Sequence, residues 1–142
     1  MAIEWPGGVS SAMNVTIVDN TDNPISVLEA DAAFTVNITW SVPPAFASLL
    51  AGSFRLRAYA ESIGPGQELQ IGLDATEPVV LNKLNYTENI AVAANTLLGE
   101  GQGAPPVSGV YKIVAVIQHL NGGSASDVSG FAEAPVTLFR IP

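Results

Sequence analysis

Phe34-Thr35-Val36-Asn37-Ile38-Thr39-Trp40-Ser41-Val42 alternates apolar and polar residues without a break, and an extended chain sends successive side chains to opposite faces. The stretch predicts a strand whose Phe34, Val36, Ile38, Trp40 and Val42 share one buried face. Pro43-Pro44 ends it, because proline has no amide hydrogen to offer a neighbouring strand. Further along, Phe54-Arg55-Leu56-Arg57-Ala58-Tyr59-Ala60-Glu61 repeats the period, with Phe54, Leu56, Ala58 and Ala60 inward and both arginines outward. Ile63-Gly64-Pro65-Gly66 supplies the turn that follows.

Residues 110–120 read differently. Val110, Val114, Val116 and Leu120 fall on one side and Tyr111, Ile113, Ala115 and Ile117 on the other, the pattern of a central strand covered on both faces. Shorter strand signals lie at 13–18, 25–28, 68–73, 78–81, 86–92 and 136–141, and short helical turns are expected at 45–50 and 93–98. With 13 glycines and 10 prolines punctuating apolar runs, strands prevail over helices. Residues 99–106 read as a long connection inside a single domain spanning 1–142. The expected core is Phe34, Val36, Ile38, Trp40, Leu56, Ala58, Ile113, Ala115 and Leu138.

Thr39-Trp40-Ser41-Val42-Pro43-Pro44 and the strand from Phe54 resemble the second and third strands of a fibronectin type III or related immunoglobulin-like domain. Ser108-Gly109-Val110-Tyr111-Lys112-Ile113-Val114 is similar to the sixth strand of that family, Asn121-Gly122-Gly123-Ser124 to the tip of the last hairpin, and residues 135–140 to the closing strand. The resemblance implies an all-β, mainly antiparallel, immunoglobulin-like two-sheet β-sandwich. It makes Trp40 a core residue and Tyr111 a corner tyrosine that bonds back to the backbone. It names no function, since such folds serve as adhesion modules, receptors, particle subunits and accessory domains alike.

Composition narrows the chemistry. The chain lacks cysteine, which removes thiol nucleophiles and cysteine metal sites, and its formal charge of -8 opposes nucleic-acid phosphates. The longest apolar run, residues 113–117, is too short to span a bilayer. No signal peptide is visible at Met1-Ala2-Ile3-Glu4-Trp5, so synthesis in the cytoplasm without export is the expectation. The lone His119 cannot build a zinc site by itself, no Gly-x-Ser-x-Gly elbow accompanies it, and it reads as a structural residue. Asp127 and several serines lie across the turn from it. Glu61 and Glu133, which end apolar strand patterns, are the acids worth following as a carboxylate pair.

Asp19-Asn20-Thr21-Asp22-Asn23-Pro24 gathers oxygen donors in a turn and resembles, with altered spacing, the calcium-binding junction of cadherins. Asp19, Asp22, Asn23 and Asp31 are the calcium candidates, with Asp74 as a further ligand. The plainer reading is an ordinary turn, in which such residues bond their own backbone. Asn14-Val15-Thr16, Asn37-Ile38-Thr39 and Asn85-Tyr86-Thr87 match glycosylation triplets, a pattern that outward Asn and Thr on strands also produce by accident.

The sequence thus points to a non-enzymatic protein-association subunit of a larger assembly, with no cofactor and with protein, most simply itself, as partner. A small-molecule substrate is not expected. Only 13% of residues are charged, little cover for so apolar a chain. Trp5, Val114, Val116, Leu120, Phe139 and Ile141 are the interface candidates. One rival is a calcium-dependent or glycan-binding adhesion module, and another is a small hydrolase.

Overall fold

The computed structural model describes residues 2–21 and 24–142. Ten strands dominate it: β1 (Ala2–Trp5), β2 (Val9–Val18), β3 (Val27–Glu29), β4 (Phe34–Ser41), β5 (Ser53–Ser62), β6 (Glu68–Pro78), β7 (Asn85–Val92), β8 (Val110–Asn121), β9 (Ser124–Glu133) and β10 (Thr137–Arg140). Among the described residues helix is confined to a 3-10 turn at Pro6–Gly8 and one turn, α1 (Pro44–Ala47). The chain is all-β. Every strand pairing among the described residues is antiparallel except that of β10 with β3.

The ladder forms one branched network, in which β8 carries β5 and then β6 on one side and β10 and β9 on the other. β2 is the link. Its first part pairs with β1 as far as Ala12, and from Met13 onward it pairs with β4, which in turn carries β7. Side chains of β4 and β7 meet those of β5, β8 and β10 across a single core. Trp40 stacks on Tyr86 at 5.4 Å, and Phe54 sets its edge to both rings at 5.5 and 5.3 Å. A second group joins Phe34, Phe139 and Tyr111, with centroids 5.2 and 5.5 Å apart. Offset and edge-on rings add to the apolar area they bury.

The alternation in β4 and β5 is obeyed residue by residue: Phe34, Val36, Ile38, Trp40, Leu56 and Ala58 are buried, as are Ile113 and Ala115 of β8. Leu138 is not. Thr137 lies opposite the inward Tyr111, so Thr137 and Phe139 take the buried face and Leu138 turns outward, half-buried. The Thr137 hydroxyl meets its burial by donating to the Pro135 carbonyl at 3.0 Å. The Tyr111 hydroxyl donates to the Leu98 carbonyl at 2.8 Å, and burial raises its pKa against the opposing effect of that bond.

Four local expectations are corrected. Residues 93–98 form a turn, because Asn95 adopts a positive φ of 63° and its amide bonds to the Ala30 carbonyl. Residues 78–81 belong to no separate strand, since the Tyr86 hydroxyl takes both backbone groups of Val80. β8 is covered on one face only: its outward Val116 is 36% exposed. The hairpin partner of β8 is β9 rather than residues 135–140. Gly130 makes β9 possible, for a Cβ there would sit 2.6 Å from the Ala2 carbonyl oxygen and 2.7 Å from Ile3 Cα of β1.

Trp40→Ala should lower stability by about 3 to 5 kcal/mol, read as a shift in the denaturation midpoint, because it removes the ring that Phe54 and Tyr86 pack against. Arg57→Ala should leave the melting curve nearly unchanged, since its ion pair with Asp74 is exposed.

Candidate functional site

The outward face of β5, β8 and β9 gathers the most notable surface. Register places Arg57, Val116 and Phe131 in one row and Tyr59, Val114 and Glu133 in the next. Phe131 is 52% exposed and Val116 36%, while Tyr59 and Val114 are half-buried. Beyond Lys112, which interrupts the row, the same face of β8 carries Val110, which lies beside Leu138 and, through it, Val27. Arg57 Nε pairs with Asp74 Oδ2 at 2.9 Å on one side of the patch, and Lys112 Nζ with Glu133 Oε1 at 3.6 Å on the other. The Asp74 carboxyl is held below its ordinary pKa by hydrogen bonds from Arg57 and Gln70, with the Arg57 charge adding to them. Arg55 bonds to Gln118 in the neighbouring row.

The interface candidates therefore divide. Val114 and Val116 belong to this patch, Leu120 lies half-buried further along β8 opposite Ala125, and Ile141 is exposed beyond β10. Trp5 and Phe139 are spent inside the chain, the first stacked on Phe46 at 5.3 Å and the second among Phe34 and Tyr111, so neither offers surface to a partner. Phe131 is the patch residue that sequence reasoning does not find. Phe131 lies in a run of small polar residues whose alternation is faint, and its outward position follows only from pairing with Val116.

Glu61 and Glu133 border the same Lys112 on the outward face, and neither lines the cavity beside His119. Glu133 pairs with Lys112, which lies opposite Glu61 in the register, whereas His119 sits toward the other end of β8. Instead Glu77 of β6 meets Glu88 of β7. The Glu77 carboxyl titrates above its usual range, chiefly from partial burial and then from the hydrogen bond and charge of Glu88, with Lys83 opposing. Sequence spacing held no sign of this pair, because it depends on β6 and β7 lying side by side.

Of the calcium candidates, Asp19 accepts from the Thr21 amide and hydroxyl at 2.9 and 2.7 Å, bonds of the kind found in ordinary turns. Asp31 is exposed, Asp74 is taken by Arg57 and Gln70, and Asp22 and Asn23 lie outside the described residues. Among the described residues no group of three or more His, Asp or Glu is placed to hold a metal ion. Asn14, Asn37 and Asn85 all face outward on β2, β4 and β7, where Asn37 Nδ2 donates to Asn89 Oδ1 at 2.8 Å. A groove of about 390 Å³ runs beside them, lined by Asn14, Thr39, Ser41, Lys83, Asn85 and Thr87 among others.

His119 is buried, with both ring nitrogens engaged: Nε2 lies 2.6 Å from the Ala51 carbonyl oxygen and Nδ1 2.8 Å from Ser126 Oγ. It ties the segment after α1 to β8 and β9 and sets its ring against Phe54 at 5.6 Å. No helix among the described residues is long and apolar enough to cross a membrane.

No protein-family model matches the chain, and no curated protein matches it. Among solved structures it is similar to β-glucosidase from Listeria innocua. The form with glucose shows 10% identity and a TM-score of 0.49, over 95% of this chain and 17% of that one. The form with gluconolactone shows 14% identity and a TM-score of 0.46, over 92% of this chain and 17% of that one. The chain thus spans 17% of the length of these structures, and likeness this slight assigns no activity.

His119→Gln should lower stability by roughly 1 to 3 kcal/mol through loss of buried hydrogen bonds, measured by chemical denaturation. Glu77→Gln should raise the melting temperature at pH 7 and leave it unchanged near pH 3. A carboxyl whose folded pKa is raised costs stability once ionised, and that cost disappears when the folded and unfolded chains both hold the proton.

Proposed function

We propose that this chain is an immunoglobulin-like β-sandwich that works by protein association, pairing with a second copy of itself through the outward face of β5, β8 and β9. The observation that carries the reading is the exposed Val116–Phe131 row framed by two ion pairs. The buried Trp40 and the Tyr111 bond to the Leu98 backbone support the immunoglobulin-like part.

Charge favours a second copy over an acidic or strongly basic partner. Three of the five basic residues, Arg55, Arg57 and Lys112, lie on this face with three acids: Asp74 pairs with Arg57, Glu133 pairs with Lys112, and Glu61 lies opposite Lys112, while Arg55 bonds to Gln118. The patch is thus locally balanced while the chain carries -8, so two copies can bring it together without stacking their net charge. Apolar contact inside a polar rim is the usual anatomy of such interfaces, and a two-fold arrangement lets one surface serve both partners. The rival reading, a recognition module that acts as a monomer, needs no such face.

Sedimentation velocity and native mass spectrometry should show a dimer at micromolar concentration that persists at high salt, because apolar contacts are not screened. Phe131→Asp and Val116→Asp should each yield monomer with an unchanged circular dichroism spectrum. A monomer of 14.7 kDa at every concentration overturns the association reading and leaves the monomeric module.

A further inference from the structure

Where β8 meets β9 the register slips between Gln118 and Leu120, and the slip brings a serine, a histidine and a carbonyl into line. We propose that Ser126 is an activated nucleophile, with His119 as its general base, that accepts the acyl group of a small carboxylic ester. The site shares no residue with the association face.

The proton positions follow from the partners. The Ala51 carbonyl can only accept, so His119 Nε2 carries the hydrogen of their 2.6 Å contact. In the neutral imidazole the lone pair then lies on Nδ1, 2.8 Å from Ser126 Oγ. The serine hydroxyl donates, and base, orienting group and nucleophile stand in the order that nucleophilic catalysis requires. The Val128 amide donates to the same Ser126 oxygen at 3.2 Å, which helps to hold the hydroxyl in line with the ring. The ring cannot turn freely, being buried against Phe54.

A cavity of about 230 Å³ adjoins the pair, walled by Trp5, Pro6, Phe46, Leu50 and Val128 and also lined by the exposed Asp127. The Trp5 indole N–H is taken by Ser11 Oγ at 2.8 Å, which leaves an apolar wall suited to a short alkyl or aryl group. In the step, Ser126 Oγ bonds to the ester carbonyl carbon as its proton passes to His119 Nδ1. The carbon–oxygen bond to the leaving group breaks, and the departing oxygen takes that proton. Water then attacks the acyl-serine, giving one proton back through His119 to Ser126 and releasing the carboxylic acid.

The test uses the whole chain with p-nitrophenyl acetate and, separately, an alkyl fluorophosphonate, followed by intact mass and peptide mapping. One acyl or phosphonyl group should add at Ser126, and Ser126→Ala should lose it while remaining folded by circular dichroism, with at most the small loss of stability that one missing hydrogen bond to His119 brings. His119→Gln should slow the reaction about a hundredfold, the scale of a lost general base. Because that variant also loosens the fold, Ser126→Cys gives a second readout: its thiol should react with iodoacetamide at least tenfold faster than that of Ser124→Cys on the exposed hairpin tip, as histidine-paired thiols do. Modification spread over other residues, an unchanged rate in His119→Gln, or equal reactivity of the two cysteine variants overturns the proposal. None of these outcomes bears on the oligomeric state, so it and the association reading fail separately.

Discussion

The packing of Trp40 between Tyr86 and Phe54 is the contact on which the rest depends. β4 and β7 present one set of apolar residues, β5 and β8 the other, and these three rings are where the sets meet. Burying aromatic area of this size is the largest single gain open to so small a core. It also fixes phase. With Trp40 inward, every second residue of β4 is inward, and the pairing of Trp40 with Met13 and Tyr86 imposes the same phase on β2 and β7. The outward faces are decided by the same act, which is why Asn and Thr line one side of the molecule and Val116 and Phe131 the other.

Legibility in the sequence followed the strength of alternation. β4 and β5 repeat apolar and polar residues over eight or more positions, and their buried faces could be named in advance. β1, with only Ile3 and Trp5 inward, is too short to show a period, and β9 hides its inward face in Val128, Gly130 and Ala132, where β1 lies too close to Gly130 for any side chain. The closing strand misled for another reason. Val136, Leu138, Phe139 and Ile141 are all apolar, so the pattern cannot choose a face, and the choice came from Tyr111 across the ladder.

The two candidate sites show the same division. Val114 and Val116 were readable because β8 is apolar on both sides, but the ring that enlarges their patch comes from a partner strand with faint periodicity. His119 drew notice as the lone histidine, yet its relation to Ser126 and Ala51 arises from a slip in register that no spacing rule contains. Pairs such as Glu77 and Glu88 are equally invisible, being brought together by strands that are not consecutive in any ladder. Chemistry that depends on side chains from distant strands is set by register, and register is settled only once the whole core closes.

β2 carries one further implication. A single strand lends its first half to β1 and its second to β4, so the two halves of the molecule share a backbone rather than only a surface. Neither half can open without stripping hydrogen bonds from the strand that serves the other. Such sharing makes partial unfolding expensive and global unfolding the cheaper route, and the amides of β1 and β7, at opposite ends of that path, should exchange with solvent as one cooperative unit.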